Sequence, residues 1–440
     1  MRCQNWGRTV AFSPAYYAQP SEEEAIRRLI GQAVEQRRTL RVVGAGHSWT
    51  PLIETPDFLL SLDRLQGVIS LSPTAQTVTV WAGSRLYRLL PQLWEAGFSL
   101  RNQGDIDRQS VAGAFSTGTH GTGKRFGLLA TQVVHYRFID GRGHLHDVYP
   151  NESPDLFRAL QVSLGLLGVI TQVTLSVEPR YYLRLLTRVE PLEAVLEKSA
   201  DYLQQYRHFE FFWFPYSGWV GVKLTELSPV EGHTSFWRRW AKDILWENAA
   251  FWVLNKLAQY FPSRCPALCR FAGRNMGEGV WVDRAYRVFA TARLVRFREM
   301  EYSVPAEAGP EVLREIRRWI DRHQPAVSFP IEYRYVMGDE IPLSPAYGGD
   351  RVFIAVHMYH RMSHTDYFRG LEAIFQAYEG RPHWGKMHTA TWSYLERVYP
   401  KLGEFLALRQ QYDPEGVFLN PYLRQLFGEG LRRRVAEGVR

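Results

Sequence analysis

Two glycine-rich segments carry residue types that could bind a phosphate. The first, residues 43–49 (Val-Gly-Ala-Gly-His-Ser-Trp), follows a predicted strand, and the second is residues 118–125 (Gly-Thr-His-Gly-Thr-Gly-Lys-Arg). Glycines let backbone N–H groups approach an anion closely. Trp49 breaks the GxGxxG pattern of dinucleotide folds, and Arg125 stands where a Walker loop needs Ser or Thr for magnesium. The two segments could be tight turns, or they could together hold one large phosphate-bearing ligand.

His47 is the most chemically capable residue of the first segment. A histidine beside a glycine loop is usually a hydrogen-bonding or capping side chain. Its neutral imidazole is also a good nucleophile near neutral pH, because the ordinary pKa is about 6.5. His47 could therefore capture an electrophilic cofactor covalently if the loop holds one.

Glu332 and Arg334 are the second pair that could do chemistry. They lie two residues apart in a predicted strand, so their side chains share one face. A guanidinium that is fixed in place can stabilise negative charge that develops on a bound group. The carboxylate can hold a neighbouring hydroxyl or keep the guanidinium in place. An exposed ion pair on the strand surface is the alternative.

The N-terminal part of the chain must position the glycine segments, and its pattern predicts short strands and amphipathic helices. Residues 20–36 have helical apolar spacing, with Ser21 placed to cap the helix. Residues 133–139 and 144–148 flank Asp-Gly-Arg-Gly, which predicts a hairpin. Further strands are predicted at residues 40–43, 58–62, 67–71, 77–82 and 169–177, and further helices at residues 85–96 and 155–164.

The residue composition changes at about residue 181. From there on, aromatic and β-branched residues are more frequent and predict longer strands. These strands are predicted at residues 181–189, 209–215, 218–224, 329–336 and 351–359, and helices at residues 192–206, 243–260, 310–323, 365–378 and 394–412. The pattern predicts an α+β chain, with a first domain to about residue 182 and a second domain that has a larger sheet.

Composition excludes several classes. Of the 440 residues, 45% are hydrophobic and 14% aromatic, which excludes disorder as the main state, and three cysteines exclude a disulfide scaffold. Cys265 and Cys269 have no second pair that would complete a zinc site, and we expect no metal. The net charge of +8 is spread over many arginines apart from the run 432–434, so a solvated surface is favoured over nucleic-acid binding.

The N-terminal residues lack the apolar core of a secretory signal, and we expect a cytoplasmic protein. Residues 244–261 are the most membrane-like stretch. Charged residues interrupt it, so it falls short of the roughly 20 apolar residues that a span needs. A helix packed within the protein is favoured, and peripheral membrane contact is the alternative.

Six motifs together resemble the aldonolactone oxidases, which are vanillyl-alcohol-oxidase-type flavoproteins. This family includes gulonolactone and arabinonolactone oxidases, and alditol oxidases are close relatives. The motifs occur in the family's order between about residues 10 and 427. They are VGAGHSW (43–49), SVAGAFSTGTHGTG (110–123), GLLGVIT (165–171), EYR (332–334), RPHWGK (381–386) and DPEGVFLNPYL (413–423).

The resemblance implies a two-domain α+β fold. A PCMH-type FAD-binding domain is expected at residues 10–182, and a cap, or substrate, domain built on an antiparallel sheet at residues 183–393. Residues 394–427 would return to the FAD domain, and residues 428–440 would form a basic tail.

The resemblance also implies FAD as the cofactor, linked covalently from His47 to the flavin 8α-methyl carbon. Gly104 would lie near the flavin atom that reacts with O2 and leave it open. The adenine ring would lie near Val169 and Ile170. Asn420 and Tyr422, from the C-terminal return, would close the site. The remaining cofactor-binding residues implied are Val43, Gly44, Ala45, Gly46, Ser48, Ser110, Gly113, Ala114, Thr117, Gly118 and Gly121.

The catalytic residues that the resemblance implies are Glu332, Arg334 and Lys386, the last at the flavin N1–C2=O end. His357 and His383 would face the substrate or be buried structural residues. The implied reaction is oxidation of a CH–OH group of a sugar-derived aldono-1,4-lactone, with hydride transfer to flavin N5 and O2 reduced to H2O2.

Three alternatives stay open. An alditol (polyol) oxidase would share this architecture, and so would a lactone dehydrogenase that passes electrons to a cytochrome or quinone. A basic nucleotide-binding protein without redox activity would use the glycine segments for phosphate alone.

Overall fold

The structure is a computed structural model that describes residues 1–232, 248–291 and 293–436, with the backbone alone from residue 429 onward. The first part of the predicted helix at residues 243–260 lies outside the described residues. The same is true of the side chains of the basic run 432–434. Within the described chain, no helix combines the length and apolarity needed to cross a membrane.

The N-terminal part contains short strands arranged in two main sheets. A parallel sheet has the order β3-β5-β4, and an antiparallel sheet has the order β10-β9-β11-β7-β6, with two small ribbons beside them, β1-β2 and β12-β8. The strands are β1 (Cys3–Gln4), β2 (Ala11–Phe12), β3 (Tyr16–Ala18), β4 (Leu40–Val43), β5 (Phe58–Ser61), β6 (Val68–Ser72), β7 (Thr77–Trp81), β8 (Phe98–Ser99), β9 (Val133–Ile139), β10 (Leu145–Val148), β11 (Val169–Ser176) and β12 (Glu178–Pro179). The helices among them are Glu23–Glu35, Leu86–Glu95, Val111–Ser116 and Pro154–Gln161.

An eight-stranded antiparallel sheet, here called the cap sheet, begins at Tyr182. Its order is β16-β13-β15-β14-β18-β19-β17-β20. The strands are β13 (Tyr182–Pro191), β14 (His208–Trp213), β15 (Trp219–Ser228), β16 (Gly279–Arg284), β17 (Phe297–Pro305), β18 (Ile331–Val336), β19 (Arg351–Tyr359) and β20 (Arg381–Pro382). The helices in this part are Leu192–Gln205, Ala250–Tyr260, Cys265–Arg274, Ala285–Phe289, Gly309–His323 and Thr365–Ala377.

The C-terminal helices are Trp392–Val398, Leu402–Tyr412 and Pro421–Ala436, and they pack against the N-terminal sheets. Leu406 and Phe427 belong to the same buried apolar cluster as Ile30 and Val80. Burial of apolar surface is the main force that joins these distant segments.

The cap sheet uses its two faces differently. One face packs Phe211, Ile331 and Ile354 against the helices Leu192–Gln205 and Gly309–His323. The other face carries alternating charged side chains of β14, β17 and β18 and turns toward the N-terminal loops, because side chains alternate along a strand. The charged groups of the candidate site lie at this boundary.

Most predicted elements are present, and three details are corrected. The predicted Ser21 cap is wrong, because the helix begins at Glu23, so Glu22 is the N-cap residue and it makes no side-chain capping bond. The predicted helix at residues 394–412 is two helices separated at Pro400, whose ring cannot continue the first. The sequence analysis missed β17, which contributes two carboxylates to the site.

Candidate functional site

A long groove of about 990 Å3 runs along the N-terminal part of the molecule. The predicted cofactor-binding residues that line it are Val43, Gly44, Ala45, Gly46, His47, Ser48, Ser110, Gly113, Thr117, Val169 and Ile170.

The first glycine segment approaches Ser110 very closely. A Cβ atom on Gly44 would lie 2.2 Å from the Ser110 Oγ atom, so a larger residue there would have to displace the Ser110 side chain. Gly46 has φ = +67°, in the left-handed region that favours glycine. Within the described chain, the backbone N–H groups of residues 45–48 donate to no carbonyl or side chain. Unpaired donors beside a groove suit an anionic pyrophosphate.

No residue of the second glycine segment, residues 118–125, lines the groove, but Thr119 and His120 line the cavity that continues from it. The Gly123 N–H donates to the Tyr335 carbonyl at 2.8 Å, and the His208 ring lies 2.8 Å from the Thr122 carbonyl oxygen. This segment therefore joins the N-terminal part to the cap sheet.

His47 is a neutral imidazole at the end of the groove. Burial, followed by the positive charges of Lys386, Arg85 and Arg108, lowers the pKa of His47 to about 4. Trp6 stacks on the ring, with 6.0 Å between ring centroids. In the described part of the chain neither ring nitrogen has a hydrogen-bond partner, so a lone pair is available at neutral pH.

A second cavity of about 510 Å3, here called the active-site cavity, continues from the groove and shares His47, Ser48 and Thr117 with it. Its remaining wall brings residues from the cap sheet and the C-terminal motif to the N-terminal loops. These residues include Gly104, Asp105, Arg334, His383 and Lys386. The predicted residues Gly104, Arg334, His383 and Lys386 are thus brought together with His47.

Arg334 is buried and held by three carboxylates. Its Nη2 atom is 3.0 Å from Asp105 and in contact with Glu332, and its Nε atom is 3.1 Å from Glu210. Burial alone would lower the pKa of Arg334, but these carboxylates raise it well above its ordinary value. Arg293 also contacts Asp105 and lies 3.2 Å from Glu332. The alternative of an exposed ion pair is wrong, because Glu332 and Arg334 are 5% and 7% exposed.

Lys386 lies between two carboxylates of β17. Its Nζ atom is 2.5 Å from Glu299 and 3.8 Å from Glu301. Burial alone would lower the pKa of Lys386, but Glu299 and Glu301 raise it, so the ammonium stays charged. The carboxylates also fix the direction of a flexible side chain.

His120, Glu301 and His383 form a buried cluster whose ligand-type atoms lie within 4.8 Å of one another, close enough to hold a metal ion. The His120 ring is already engaged on both sides. Its Nδ1 atom is 2.8 Å from the Gly121 carbonyl oxygen, and its Nε2 atom is 3.1 Å from Glu301. His383 Nδ1 accepts the Gly385 N–H at 3.0 Å, and burial lowers the pKa of His383 to about 3.

Seven predicted residues lie outside the walls of these two cavities. Asn420 is fully buried and donates to the carbonyls of Pro51 (2.8 Å) and Glu54 (2.8 Å), behind the groove. The Tyr422 hydroxyl lies 3.2 Å from His388 Nε2. The other five are Ala114 and Gly121, which are buried, Gly118, which has φ = +79°, and His357 and Glu332.

His357 does not reach the active-site cavity. Its Nδ1 atom is 2.9 Å from the Pro330 carbonyl oxygen, and its Nε2 atom is 3.5 Å from Glu299 and 4.0 Å from Glu332. Burial alone would lower the pKa of His357, but the neighbouring carboxylates raise it. Glu332 likewise does not line the cavity. Its carboxylate contacts the guanidinium of Arg334, which does line it.

Sequence reasoning missed Asp105, Glu210, Arg293, Glu299 and Glu301. The pattern of β17 could have identified two of them. Glu299 and Glu301 alternate with the apolar Met300 and Tyr302, which is the pattern of a strand with one polar face. Asp105 and Arg293 lie in loops, where no periodicity indicates direction.

The comparisons with known proteins agree with this geometry. Residues 14–149 match the model of an FAD binding domain, and residues 173–426 match the model of the D-arabinono-1,4-lactone oxidase family. An L-gulono-1,4-lactone dehydrogenase from Mycobacterium tuberculosis is 38% identical over 425 residues, which cover 96% of this chain and 98% of that protein. An L-gulonolactone oxidase from Bos taurus is 30% identical, with 97% and 98% covered.

Solved structures show the same fold at low identity. A solvent-stable cholesterol oxidase aligns with a TM-score of 0.81 and 17% identity over 97% of each chain. A cholesterol oxidase from B. sterolicum aligns with a TM-score of 0.80 and 17% identity over 97% of this chain and 96% of that one. The predicted two-domain α+β fold of vanillyl-alcohol-oxidase-type flavoproteins is confirmed. From both family models and the near full-length relatives, this flavoprotein chain belongs to the D-arabinono-1,4-lactone oxidase family.

Proposed function

We propose that this chain oxidises a CH–OH group of an aldono-1,4-lactone with FAD. The observation that carries the proposal is one cavity whose wall contains His47, Arg334 and Lys386 and which continues from the groove. The matched relatives are named for gulono- and arabinono-1,4-lactones. The domain assignment proposed is residues 10–182 for FAD, residues 183–393 for the cap, residues 394–427 for the C-terminal return and residues 428–440 for the tail.

Residues 43–48 and 110–117 would hold the FAD pyrophosphate, with Val169 and Ile170 nearer the adenine. The unpaired N–H groups of residues 45–48 support this placement. When bound, FAD supplies a hydride acceptor for the alcohol carbon. We assign His47 as the residue that bonds covalently to the flavin, because its ring is neutral and without a hydrogen-bond partner among the described residues.

Arg334 would bind the substrate alcohol oxygen and stabilise the negative charge that develops as hydride leaves. Its guanidinium is fixed before substrate arrives, since Asp105, Glu210 and Glu332 hold it. A donor that is already oriented costs no reorganisation during the reaction. Glu332 thus keeps Arg334 in place, and Asp105, which lines the cavity, can accept a hydrogen bond from a neighbouring substrate hydroxyl.

Lys386 would supply positive charge at the pyrimidine end of the flavin. Glu299 and Glu301 hold the ammonium within the cavity wall and keep it protonated. His383, which also lines the cavity, is neutral and has one free N–H for a substrate oxygen, because its Nδ1 atom already accepts the Gly385 N–H. We propose His357 as a buried support for Glu299 rather than as a substrate contact.

O2 is the electron acceptor that we favour, with H2O2 as the product. Gly104 lines the active-site cavity, and a Cβ atom there would lie 3.2 Å from the His120 carbonyl oxygen, so a larger residue would crowd this part of the wall. A dehydrogenase that uses a cytochrome or quinone is the second candidate, and the relative from Mycobacterium tuberculosis is named a dehydrogenase.

A panel assay tests the reaction and the acceptor together. Purified yellow protein is incubated with L-gulono- and D-arabinono-1,4-lactone and with alditols such as xylitol, using O2 or cytochrome c as acceptor. We expect turnover with a lactone and peroxide formation in air. Turnover with alditols alone would contradict the lactone proposal and show an alditol oxidase. Turnover only with cytochrome c would contradict O2 as the acceptor and show a dehydrogenase.

The covalent bond has its own test. Acid-precipitated wild-type protein should stay yellow, and its intact mass should exceed the polypeptide mass by that of FAD. His47→Ala should release all flavin into the supernatant. An acid-stable flavin in His47→Ala would refute the linkage, and a colourless wild-type protein that binds ATP would favour the basic nucleotide-binding alternative.

A further inference from the structure

A third cavity, of about 440 Å3, adjoins the active-site cavity and has no role in the proposal above. The two cavities share Gly104, Asp105 and Arg334. A group bound at Arg334 therefore has direct access to both. The third cavity is here called the side cavity, and its polar wall residues beyond the shared ones are Gln103, Thr122, His208, Glu210, Lys223 and Thr225.

Four of these residues come from adjacent strands of the cap sheet. Arg334 of β18 pairs with Glu210 of β14, and Glu210 pairs with Lys223 of β15. His208 and Thr225 form the next such pair in register. Directly paired residues of antiparallel strands project to the same face. The polar surface at Arg334 therefore continues without interruption into the side cavity.

The charges in this wall are balanced. Lys223 Nζ is 3.2 Å from Glu210, and Arg334 is bound by Glu210 at 3.1 Å and by Asp105 at 3.0 Å. Two cations thus face two carboxylates that already neutralise them. Such a wall suits a neutral polar group better than an anion or a cation.

Several polar groups in the wall have no hydrogen-bond partner among the residues that the structure describes. Both amide atoms of Gln103 are unpaired, although the residue is only 5% exposed. The His208 ring donates from Nδ1 to the Thr122 carbonyl, which leaves Nε2 as an unpaired acceptor in a residue that is 3% exposed. The Thr225 hydroxyl makes no hydrogen bond within the described residues.

Buried polar groups in native proteins normally have partners, so these atoms indicate a missing ligand or water. The unpaired set contains an amide donor and acceptor, an imidazole acceptor and a hydroxyl. Hydroxyl groups both donate and accept, so a ligand with neighbouring hydroxyls could satisfy all of them.

We infer that the side cavity binds the hydroxylated carbon chain outside the lactone ring, and that Gln103, His208 and Thr225 select lactones by the length of that chain. This inference rests on the proposed function. A six-carbon 1,4-lactone has a two-carbon diol outside its ring, whereas a five-carbon one has a single hydroxymethyl group. The longer chain reaches more of the unpaired groups.

The test compares L-gulono-1,4-lactone with D-arabinono-1,4-lactone on each variant of the flavin-loaded enzyme. Thr225→Val removes one hydroxyl and keeps a β-branched strand residue. Thr187→Val is the matched control, because Thr187 lies in the same sheet, bonds Gly279 at 3.3 Å and is absent from the cavity wall. Gln103→Leu is a second test variant, at a wall residue outside the cap sheet. The ratio of the two kcat/KM values cancels general effects of each substitution.

We expect the gulonolactone-to-arabinonolactone ratio to fall by about three- to tenfold in Thr225→Val and Gln103→Leu, the effect of one lost hydrogen bond. The half-saturating gulonolactone concentration for anaerobic bleaching should rise in both, and Thr187→Val should keep the wild-type ratio. An unchanged ratio in both test variants would overturn the side-cavity inference and leave the proposed function standing. Wild-type protein that neither lactone bleaches would overturn both.

Discussion

Replacing Arg334 by methionine separates its catalytic role from its structural role. Arg334 lies among three carboxylates, those of Asp105, Glu210 and Glu332. Two further cations, Arg293 and Lys223, bind the same carboxylates, so three positive charges balance three negative charges. The single variant leaves one carboxylate without a countercharge in a buried site. Breaking a buried ion pair costs about 3–5 kcal/mol of unfolding free energy. Loss of the donor to the alcohol oxygen should slow the chemical step by about 10²–10³-fold.

A second substitution restores the charge balance without restoring the donor. Glu210→Gln in the Arg334→Met background removes the surplus carboxylate and keeps an amide oxygen near Lys223. We expect the double variant to recover most of the lost stability. It should bleach with lactone as slowly as the single variant, since neither has a guanidinium at the cavity wall.

The assay pairs thermal unfolding with anaerobic stopped-flow bleaching of the yellow enzyme by lactone. Glu210→Gln alone is the control for the second substitution. If Arg334→Met bleaches at the wild-type rate, Arg334 does not contact the reacting oxygen. If the double variant regains rate together with stability, the role of Arg334 is structural only.

Three further outcomes follow from the geometry. Gly104→Ala should slow oxygen uptake while lactone still bleaches the enzyme anaerobically, and equal uptake would dismiss Gly104 as an access point. Burial lowers the pKa values of His208 and His383 to about 3, so the unfolded chain binds protons that the folded chain does not. The free energy of unfolding should therefore fall between about pH 6.5 and pH 4, by on the order of 2 kcal/mol per histidine at pH 5, and the melting temperature should fall with it. His357, whose pKa is raised, already contributes its full stabilisation below about pH 6.5, so it does not offset this loss. A melting temperature independent of pH in that window would contradict these assignments. Asn420→Ala should cost about 1–3 kcal/mol, since it leaves buried carbonyls unpaired; Asn420→Asp, which loses the same donors, should not rescue the melting temperature.

The local pattern predicted most strands because their apolar alternation directly reflects burial. β9, β10 and β19 begin and end within a residue of their predicted bounds. The short helix Val111–Ser116 was not predicted, because its small residues show no amphipathic period over six residues. Pro400 divides the last predicted helix, and a Pro in a helical pattern could have indicated this break.

The site was predicted only as far as sequence motifs reach. The glycine segment and His47 are contiguous in sequence, and Glu332 and Arg334 share one strand. The carboxylates that hold the cations come from distant segments. For Lys386 these are Glu299 and Glu301, which lie about 85 residues earlier, as the residue numbers show.

The second glycine segment illustrates what composition cannot distinguish. Glycines permit close approach to any neighbour, whether that is a phosphate or another strand. Residues 118–125 approach the cap sheet, with Gly123 paired beside Val336, whereas residues 43–48 line the groove. Only the tertiary arrangement decides between the two uses.

Anaerobic addition of one equivalent of aldono-1,4-lactone to the yellow wild-type protein tests the central claim most directly. The account predicts that L-gulono- or D-arabinono-1,4-lactone abolishes the visible flavin absorption and that the lactone is recovered oxidised by two electrons. Flavin absorption that stays unchanged with every lactone tried, in protein shown by mass to carry FAD, would contradict it.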